Sequence, residues 1–349
     1  METTLWVAGT VLAVATLLPL WRQTSWWVRV FDFPRLQLAA GLLAVLVGHA
    51  AMGGGGAAPH AFRGLLLACL VLQVRRILPY TRLARVQVQH SRLADGPGHL
   101  RLLFANVLQS NRHADGLLAA VRRCQPDVVL ALEVDDAWIE ALGELRHSHP
   151  HTLLRPQDNT YGMALYSRLP LIAPEVAFLV QPDVPSIHLR VRLGTGAEVT
   201  LHCLHPRPPA PGEAASSAQR DAELVLVGRQ VKRQPGPVVV MGDMNDVAWS
   251  HTSALFRKIS GLLDPRVGRG MFNTFNAKHR FVRFPLDHFF HSNDFRLVEF
   301  RRLPFFGSDH FPVYIHLSHE PEAEAAQPEP HADAPAQAEA DEKLAEARP

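Results

Sequence analysis

The chain has 349 residues, 47% of them hydrophobic and 19% charged, and a formal net charge of +2. That length holds one sizeable domain plus attachments, and the three cysteines, Cys69, Cys124 and Cys203, lie too far apart for a disulfide framework or a zinc knuckle. Charge is unevenly spread: residues 1–85 carry 8 Lys/Arg against 2 Asp/Glu, residues 86–318 carry 25 against 22, and residues 319–349 carry 2 against 9, so a basic membrane-proximal start and an acidic end flank a near-neutral middle.

Residues 3–21 hold no charged side chain and are long enough to cross a bilayer core of roughly 30 Å. No small-residue cleavage site precedes Trp21, so a retained anchor is expected rather than a signal peptide. A second uncharged run covers residues 36–52. A third, residues 57–75, contains Arg63, which must snorkel if that run spans. The expected anchor is therefore residues 1–80, with two or three spans in a bacterial inner membrane, followed by a linker over residues 81–98. Trp21, Trp26 and Trp27 suit an interfacial belt. Arg22, Arg29 and Arg35 precede the second run, and Arg75, Arg76, Arg82 and Arg85 follow the third. By the positive-inside rule the N-terminus is outside and the rest of the chain cytoplasmic.

Residues 99–318 alternate between buried strands and amphipathic helices. LRLLFANV (100–107) reads as a strand, residues 113–125 as a helix, PDVVLALEV (126–134) as a second buried strand and residues 135–145 as a second helix. YGMALY (161–166) is a further strand, and residues 187–193 and 198–205 form a hairpin around GTG. A helix over residues 218–234 leads into PVVVMGDMND, and FPLDHFFHS (284–292) and PVYIHL (312–317) close the series. Interleaved helices and hairpins predict a mixed-sheet α/β domain. His147, His149 and His151 read as a solvated loop, having no acidic partner in the pattern. The last 31 residues are rich in Ala, Pro and Glu without an aromatic residue, so residues 319–349 are expected to be a disordered tail.

Polar residues gather where the strands end: Asn106, Glu133, His205, Asp243, Asn245, Asp287 with His288, and Ser308, Asp309 and His310. A carboxylate in an apolar strand is costly to bury unless paired or bound to metal, so the set implies one shared polar site. Carboxylate and amide oxygens without clustered cysteines suit Mg²⁺ or Mn²⁺, and the histidines offer proton transfer.

The ordered motifs FANV, ALEV, LHCLHP, GDMND, PLDHFF and GSDH, with YGMALYSRLPL between them, resemble the endonuclease/exonuclease/phosphatase superfamily over about residues 99–318. The resemblance implies two packed mixed β-sheets flanked by helices, a four-layer α/β sandwich with its site at one edge. Carried over by position, Glu133 is the main Mg²⁺ ligand, with Asn106 and Asp309 beside it. Asp243 orients or activates water, Asn245 positions the phosphate, His205 contacts it, and His310, oriented by Asp287, contacts the scissile phosphate or acts as base. The choice of base between Asp243 and a histidine stays open. The superfamily often has Gln before the metal ligand, whereas Leu132 stands here. Arg168, Arg280 and Arg283 are candidates for substrate phosphate.

These readings imply a monomeric, membrane-anchored, Mg²⁺-dependent phosphoesterase for a lipid or small-molecule phosphate. The alternatives are a membrane-tethered nuclease and a catalytically silent binding module. A near-neutral domain argues against the basic stripe that duplex binding requires. Within the superfamily, small bacterial members with several N-terminal spans include a vancomycin/teicoplanin-resistance type, whose domain would lie outside the cytoplasm, against the charge rule.

Overall fold

The computed structural model describes residues 2–53 and 55–347. Among them, eleven strands form two facing sheets. The first has the order β10-β11-β1-β2-β4-β3, built from β1 (His99–Asn106), β2 (Val128–Leu132), β3 (His151–Arg155), β4 (Met163–Ser167), β10 (Phe295–Arg302) and β11 (Val313–His319). The second has the order β5-β6-β7-β8-β9, built from β5 (Leu171–Ala177), β6 (Ser186–Arg192), β7 (Glu198–Leu204), β8 (Val238–Asp243) and β9 (Asp287–His291).

Alternation within each strand creates the layers. Leu102 and Phe104 of β1 meet Leu130 of β2 and, across the sandwich, Leu201, Val239, Met241 and Phe289. The intervening Leu103, Ala105, Val129 and Ala131 face outward onto α5 (Ala114–Cys124) and α6 (Asp136–Ala141), through Leu117, Val121 and Trp138. A short α7 (Leu145–Ser148) follows α6. On the other sheet Val238 and Val240 pack beneath α8 (Ala218–Arg233) and α9 (His251–Ser260) through Leu224, Val227, Val231 and Phe256. The result is the four-layer α/β sandwich expected.

Sequence patterning misses β3, β5 and β10, all at sheet edges, where one face is not buried and the apolar run is broken. β5 contains Pro174, accommodated by a register shift between Ile172 and Glu175. His149 is not in a solvated loop: its buried ring lies 2.9 Å from the Pro126 carbonyl through Nε2 and 2.9 Å from Ser148 Oγ through Nδ1, and His151 opens β3.

The acidic end also differs from expectation. Pro321–Ala326 forms a 3-10 turn and Ala334–Glu346 a helix, α10, which Asp333 caps through the Ala336 N–H at 3.0 Å. Ala336 and Ala340 pack on Val225, Leu255 and Ile259, and Lys343 reaches buried Asp221 at 2.6 Å. Alanine at i and i+4 supplies a small apolar face that overall composition conceals.

At the other end, α1 (Glu2–Leu17), α3 (Arg35–Ala51) and α4 (Ala57–Ile77) pack through Ala13, Leu42, Val45, Phe62 and Leu66, joined between the first two by α2 (Trp26–Arg29). Among the described residues one helix, Glu2–Trp21, is long and apolar enough to cross a membrane, or two if Trp26–Asp32 and Arg35–Ala51, bent by 72°, count as one span. The third expected span forms α4 but does not join them, and it carries Arg63, Arg75 and Arg76. The bundle is tied to the sandwich. Tyr80, Trp249, Phe284 and Leu286 cluster with Ile77 and Phe33, and Trp249 Nε1 donates to the Asp32 carbonyl at 2.8 Å.

Candidate active site

Strand pairing brings the polar residues to one end of the sandwich. β1 runs parallel to β2 with Asn106 opposite Leu132, so Asn106 and Glu133 emerge side by side. β7 runs parallel to β8 with Leu204 opposite Gly242, and β9 pairs antiparallel with Asp243 opposite Asp287, which sets His205, Asp243 and Asp287 together on the second sheet. Gly242 has φ +146°, and a Cβ there would lie 1.9 Å from the Leu204 carbonyl oxygen. Only glycine lets β8 approach β7 this closely before the chain turns. Ser308 closes the site by donating to the Asn106 carbonyl at 2.8 Å while accepting from the His310 N–H at 3.0 Å.

Asn106 bridges the two sheets. Its Nδ2 donates to Glu133 Oε1 at 2.8 Å and to Asp243 Oδ2 at 3.1 Å, and its Oδ1 accepts from the Leu108 N–H at 3.1 Å. In this arrangement the amide nitrogen of Asn106 orients both carboxylates, while its oxygen accepts one backbone hydrogen bond. Glu133 also accepts from the Gln109 N–H at 3.3 Å. Burial pushes the Glu133 carboxyl up to about 7, against the opposing effects of the Asn106 hydrogen bond and His310. Glu133 and Asn245 both hold left-handed backbone, at φ +61° and +49°, a conformation that costs non-glycine residues energy and gathers at functional sites.

His310 lies between two acids. Its Nδ1 is 2.9 Å from Asp287 Oδ2 and its Nε2 is 3.5 Å from Asp243 Oδ2. Desolvation lowers the imidazole pKa, but Asp287 and Asp243 outweigh it and raise the value to about 10, so the ring is a cation at neutral pH. Burial raises the Asp243 carboxyl while His310 opposes the shift. His205 is the reverse case: buried, with Nδ1 lacking a partner among the described residues, it falls to about 4 and stays neutral. Asn245 is fixed by its N–H to Asp243 Oδ1 at 2.9 Å and its Nδ2 to the Pro206 carbonyl at 3.0 Å.

Glu133, His205, Asp243, Asn245, Asp309 and His310 line one cavity of about 350 Å³. Asp287 stands behind His310. Of the three arginine candidates none is there. Arg168 follows β4 at Ser167, which pairs with Val128 at the far end of β2, and its guanidinium bonds Gln125. Arg280 and Arg283 line a separate cavity of about 820 Å³. A serine-arginine pair next to a strand carries no information about which end of the strand faces the site. His288 likewise turns away: its ring contacts the Arg266 guanidinium and the Asp246 carbonyl, both at 2.8 Å.

Sequence reasoning misses the other wall of the cavity. Trp26, Val30 and Phe33, from the connection between α1 and α3, line it together with Phe275, Tyr161 and the proline loop Pro208–Pro211. Tyr161 donates to Glu213 at 2.7 Å, and its ring lies 5.2 Å from that of His205. The signal for the first three was present, since they are large apolar residues between two apolar helices, but their distance of 73 to 80 residues from Asn106, at the first strand end, hides the contact.

The model of the Endonuclease/Exonuclease/phosphatase family matches residues 100–310. Among solved structures, humanized D. rerio TDP2 is similar with a TM-score of 0.54 at 17% identity, over 63% of this chain and 99% of that one. The human Nocturnin catalytic domain with bound sulfate gives 0.51 at 16% identity, over 64% and 96%. SmcL gives 0.51 at 16% identity, over 64% and 100%. No curated protein matches the chain. At these identities the likeness is one of fold, and residues 1–99 lie outside the family match.

Proposed function

Because the chain belongs to the endonuclease/exonuclease/phosphatase family, whose members are hydrolases of phosphate ester bonds, we propose that it is a membrane-attached, divalent-metal-dependent phosphoesterase acting on a lipid or small-molecule phosphate. One observation carries the choice of substrate: Trp26, Val30 and Phe33, between the two apolar N-terminal segments, share a cavity wall with Glu133, Asp243 and His310. A polar headgroup held among the acids would keep its apolar portion against that wall.

The donor set fits a hard divalent cation. Glu133, Asp243 and Asp309 line the cavity without a Lys or Arg among its described residues, and burial raises both Glu133 and Asp243 despite the opposing His310 charge, as expected of carboxylates whose countercharge is incomplete. Glu133, with Asp309 beside it, would hold Mg²⁺ or Mn²⁺, which when bound supplies Lewis acidity to a phosphoryl oxygen. Asp243, with its raised pKa, takes the proton of the attacking water, because His310 already carries one and cannot act as base. The His310 cation, held by Asp287, instead neutralises charge developing on the phosphoryl oxygens. Neutral His205 donates a hydrogen bond to phosphate, and Asn245, pinned by Pro206, positions it.

The test is hydrolysis by the full chain in detergent with Mg²⁺, offered a phospholipid panel in mixed micelles and single-stranded DNA, with Asp243→Ala as control. Faster turnover of a lipid phosphate, abolished by the substitution and by chelation, is the expected result. A preference for DNA would overturn the substrate assignment, since the D. rerio TDP2 structure solved with single-stranded DNA product has a similar fold, at a TM-score of 0.53.

A further inference from the structure

Beside the catalytic cavity, across the Phe33–Phe284 ring pair, lies the larger cavity of about 820 Å³. Six arginines line it, Arg82, Arg269, Arg280, Arg283, Arg301 and Arg302, with no Asp or Glu among the described lining residues. Among the described residues, Arg301 alone of the six has a carboxylate partner, Glu299 at 2.8 Å. Several of the others are fixed by neutral groups. Arg302 donates to the Asn273 carbonyl at 2.7 Å, Arg283 to the His279 carbonyl at 2.7 Å, and both guanidiniums lie over the Phe311 ring, at 4.3 and 4.9 Å. Five guanidiniums lining one cavity without a carboxylate partner among the described residues leave an uncompensated field that selects a polyvalent anion. Desolvation, with the neighbouring Arg283 charge, holds Arg302 below its usual range, the direction expected of crowded cations.

The position of this cavity identifies the anion's source. Leu36 and Gln37, from the first turn of α3, form part of its wall, and Arg82 follows the end of α4. Gly48 of α3 lies against Leu5, so α1 runs antiparallel to α3, while Trp6 stacks on Phe62 and Gln73 donates to Thr16 Oγ1, so it runs parallel to α4; its Trp21 end therefore lies beside the start of α3 and the end of α4, at the same end of the bundle. That end abuts the sandwich. At the rim, Phe281 and Val282 are 83% and 51% exposed, on a segment tied to α3 by Gln37 Nε2 donating to the Phe281 carbonyl at 3.0 Å. Cations beneath an exposed apolar tip, at the end of a bundle containing a membrane-length helix, match the order of layers in a bilayer surface: acyl chains, then phosphates.

We propose that this arginine cavity binds the phosphate headgroup of an anionic membrane lipid, as a site distinct from the catalytic one, which docks the sandwich against the bilayer. The inference rests on the membrane attachment proposed above and not on the identity of the hydrolysed substrate. Binding is therefore the readout, so that failure of the catalytic assignment leaves it untouched.

The experiment titrates the full chain in detergent micelles with dihexanoyl phosphatidylglycerol, dihexanoyl phosphatidylcholine and inorganic pyrophosphate by calorimetry, in wild type and in Arg82→Gln/Arg280→Gln. Both substituted side chains are exposed, so an unchanged melting temperature shows that the variant folds. The expected result is selective binding of phosphatidylglycerol, weakened about tenfold in the variant by loss of two charge-assisted contacts. Equal affinity for phosphatidylcholine, or an unchanged constant in the folded variant, would overturn the site. Pyrophosphate binding as tightly as the lipid would overturn the lipid as occupant in favour of a soluble anion. A chain that stays in solution without detergent would remove the membrane premise itself.

Discussion

Two clusters of aspartate and histidine occupy opposite ends of β1, and their contrast shows what turns such residues into a site. Asp243, Asp287 and His310 meet at the Asn106 end, and Asp95, His99 and His316 at the His99 end; in each, the ligand-type atoms lie within 4.8 Å of one another. In the first, both carboxylates are buried, and His310 is held as a cation between them. In the second, Asp95 is 61% exposed and shared with Arg101, while His99 and His316 face each other at 2.8 Å. Desolvation, with Arg101 and His99, pushes His316 down to about 4. Similar residue types thus give opposite charge states, because only the first cluster keeps its acids out of water and free of arginine.

The sharpest way to break the comparison is mutation at both ends. Asp287→Asn leaves His310 without its orienting acid, and turnover is expected to fall by about 10²–10³, whereas Asp95→Asn should change turnover less than about twofold. Comparable losses would remove the distinction.

The pH dependence of stability, measured by chemical denaturation in chelator, should also have opposite signs. His310 is raised to about 10, so its contribution is complete below about 6.5 and is lost as pH rises toward 10. His316 is lowered to about 4, so its contribution is complete above about 6.5 and is lost as pH falls toward 4. Each should be worth ~1–3 kcal/mol, and His310→Gln should flatten the alkaline limb while His316→Gln flattens the acidic one. A wild-type alkaline limb already flat would contradict the cationic His310.

A smaller effect concerns the acidic end. Ending the chain after Gln327 removes α10 and leaves Asp221 with Arg220 but without Lys343. The expected cost is ~1–2 kcal/mol, seen as a lowered melting temperature with turnover per folded molecule retained. An unchanged melting temperature would mean that α10 does not pack in solution.

The legible parts of the molecule are those whose constraints are local. A strand buried on both faces announces itself as an apolar run, and a polar residue just beyond it, as in FAN, ALE and MGD, marks where the sheet ends; those positions assemble in the structure. The edge strands β3, β5 and β10 stay hidden because half their side chains face water. Arg168, Arg280 and Arg283 stand away from the cavity because a basic residue near a motif says nothing about direction along the strand. Trp26, Val30 and Phe33 are illegible for a different reason: their role exists only after the N-terminal bundle docks on the sandwich, a long-range packing event without a local pattern. The tail helix α10 depends likewise on the α8 and α9 surface that receives it.

That docking is the centre of the account, and the most direct test is the ratio of kcat/KM for a micellar lipid phosphate to that for soluble bis(p-nitrophenyl) phosphate, in wild type and Trp26→Ala/Val30→Ala. Both residues are partly exposed, at 37% and 47%, so the substitutions leave the core intact. If the wall they form receives the apolar portion of the substrate, the ratio falls about tenfold, through KM on the lipid alone. A ratio that stays the same would contradict a lipid substrate at this site.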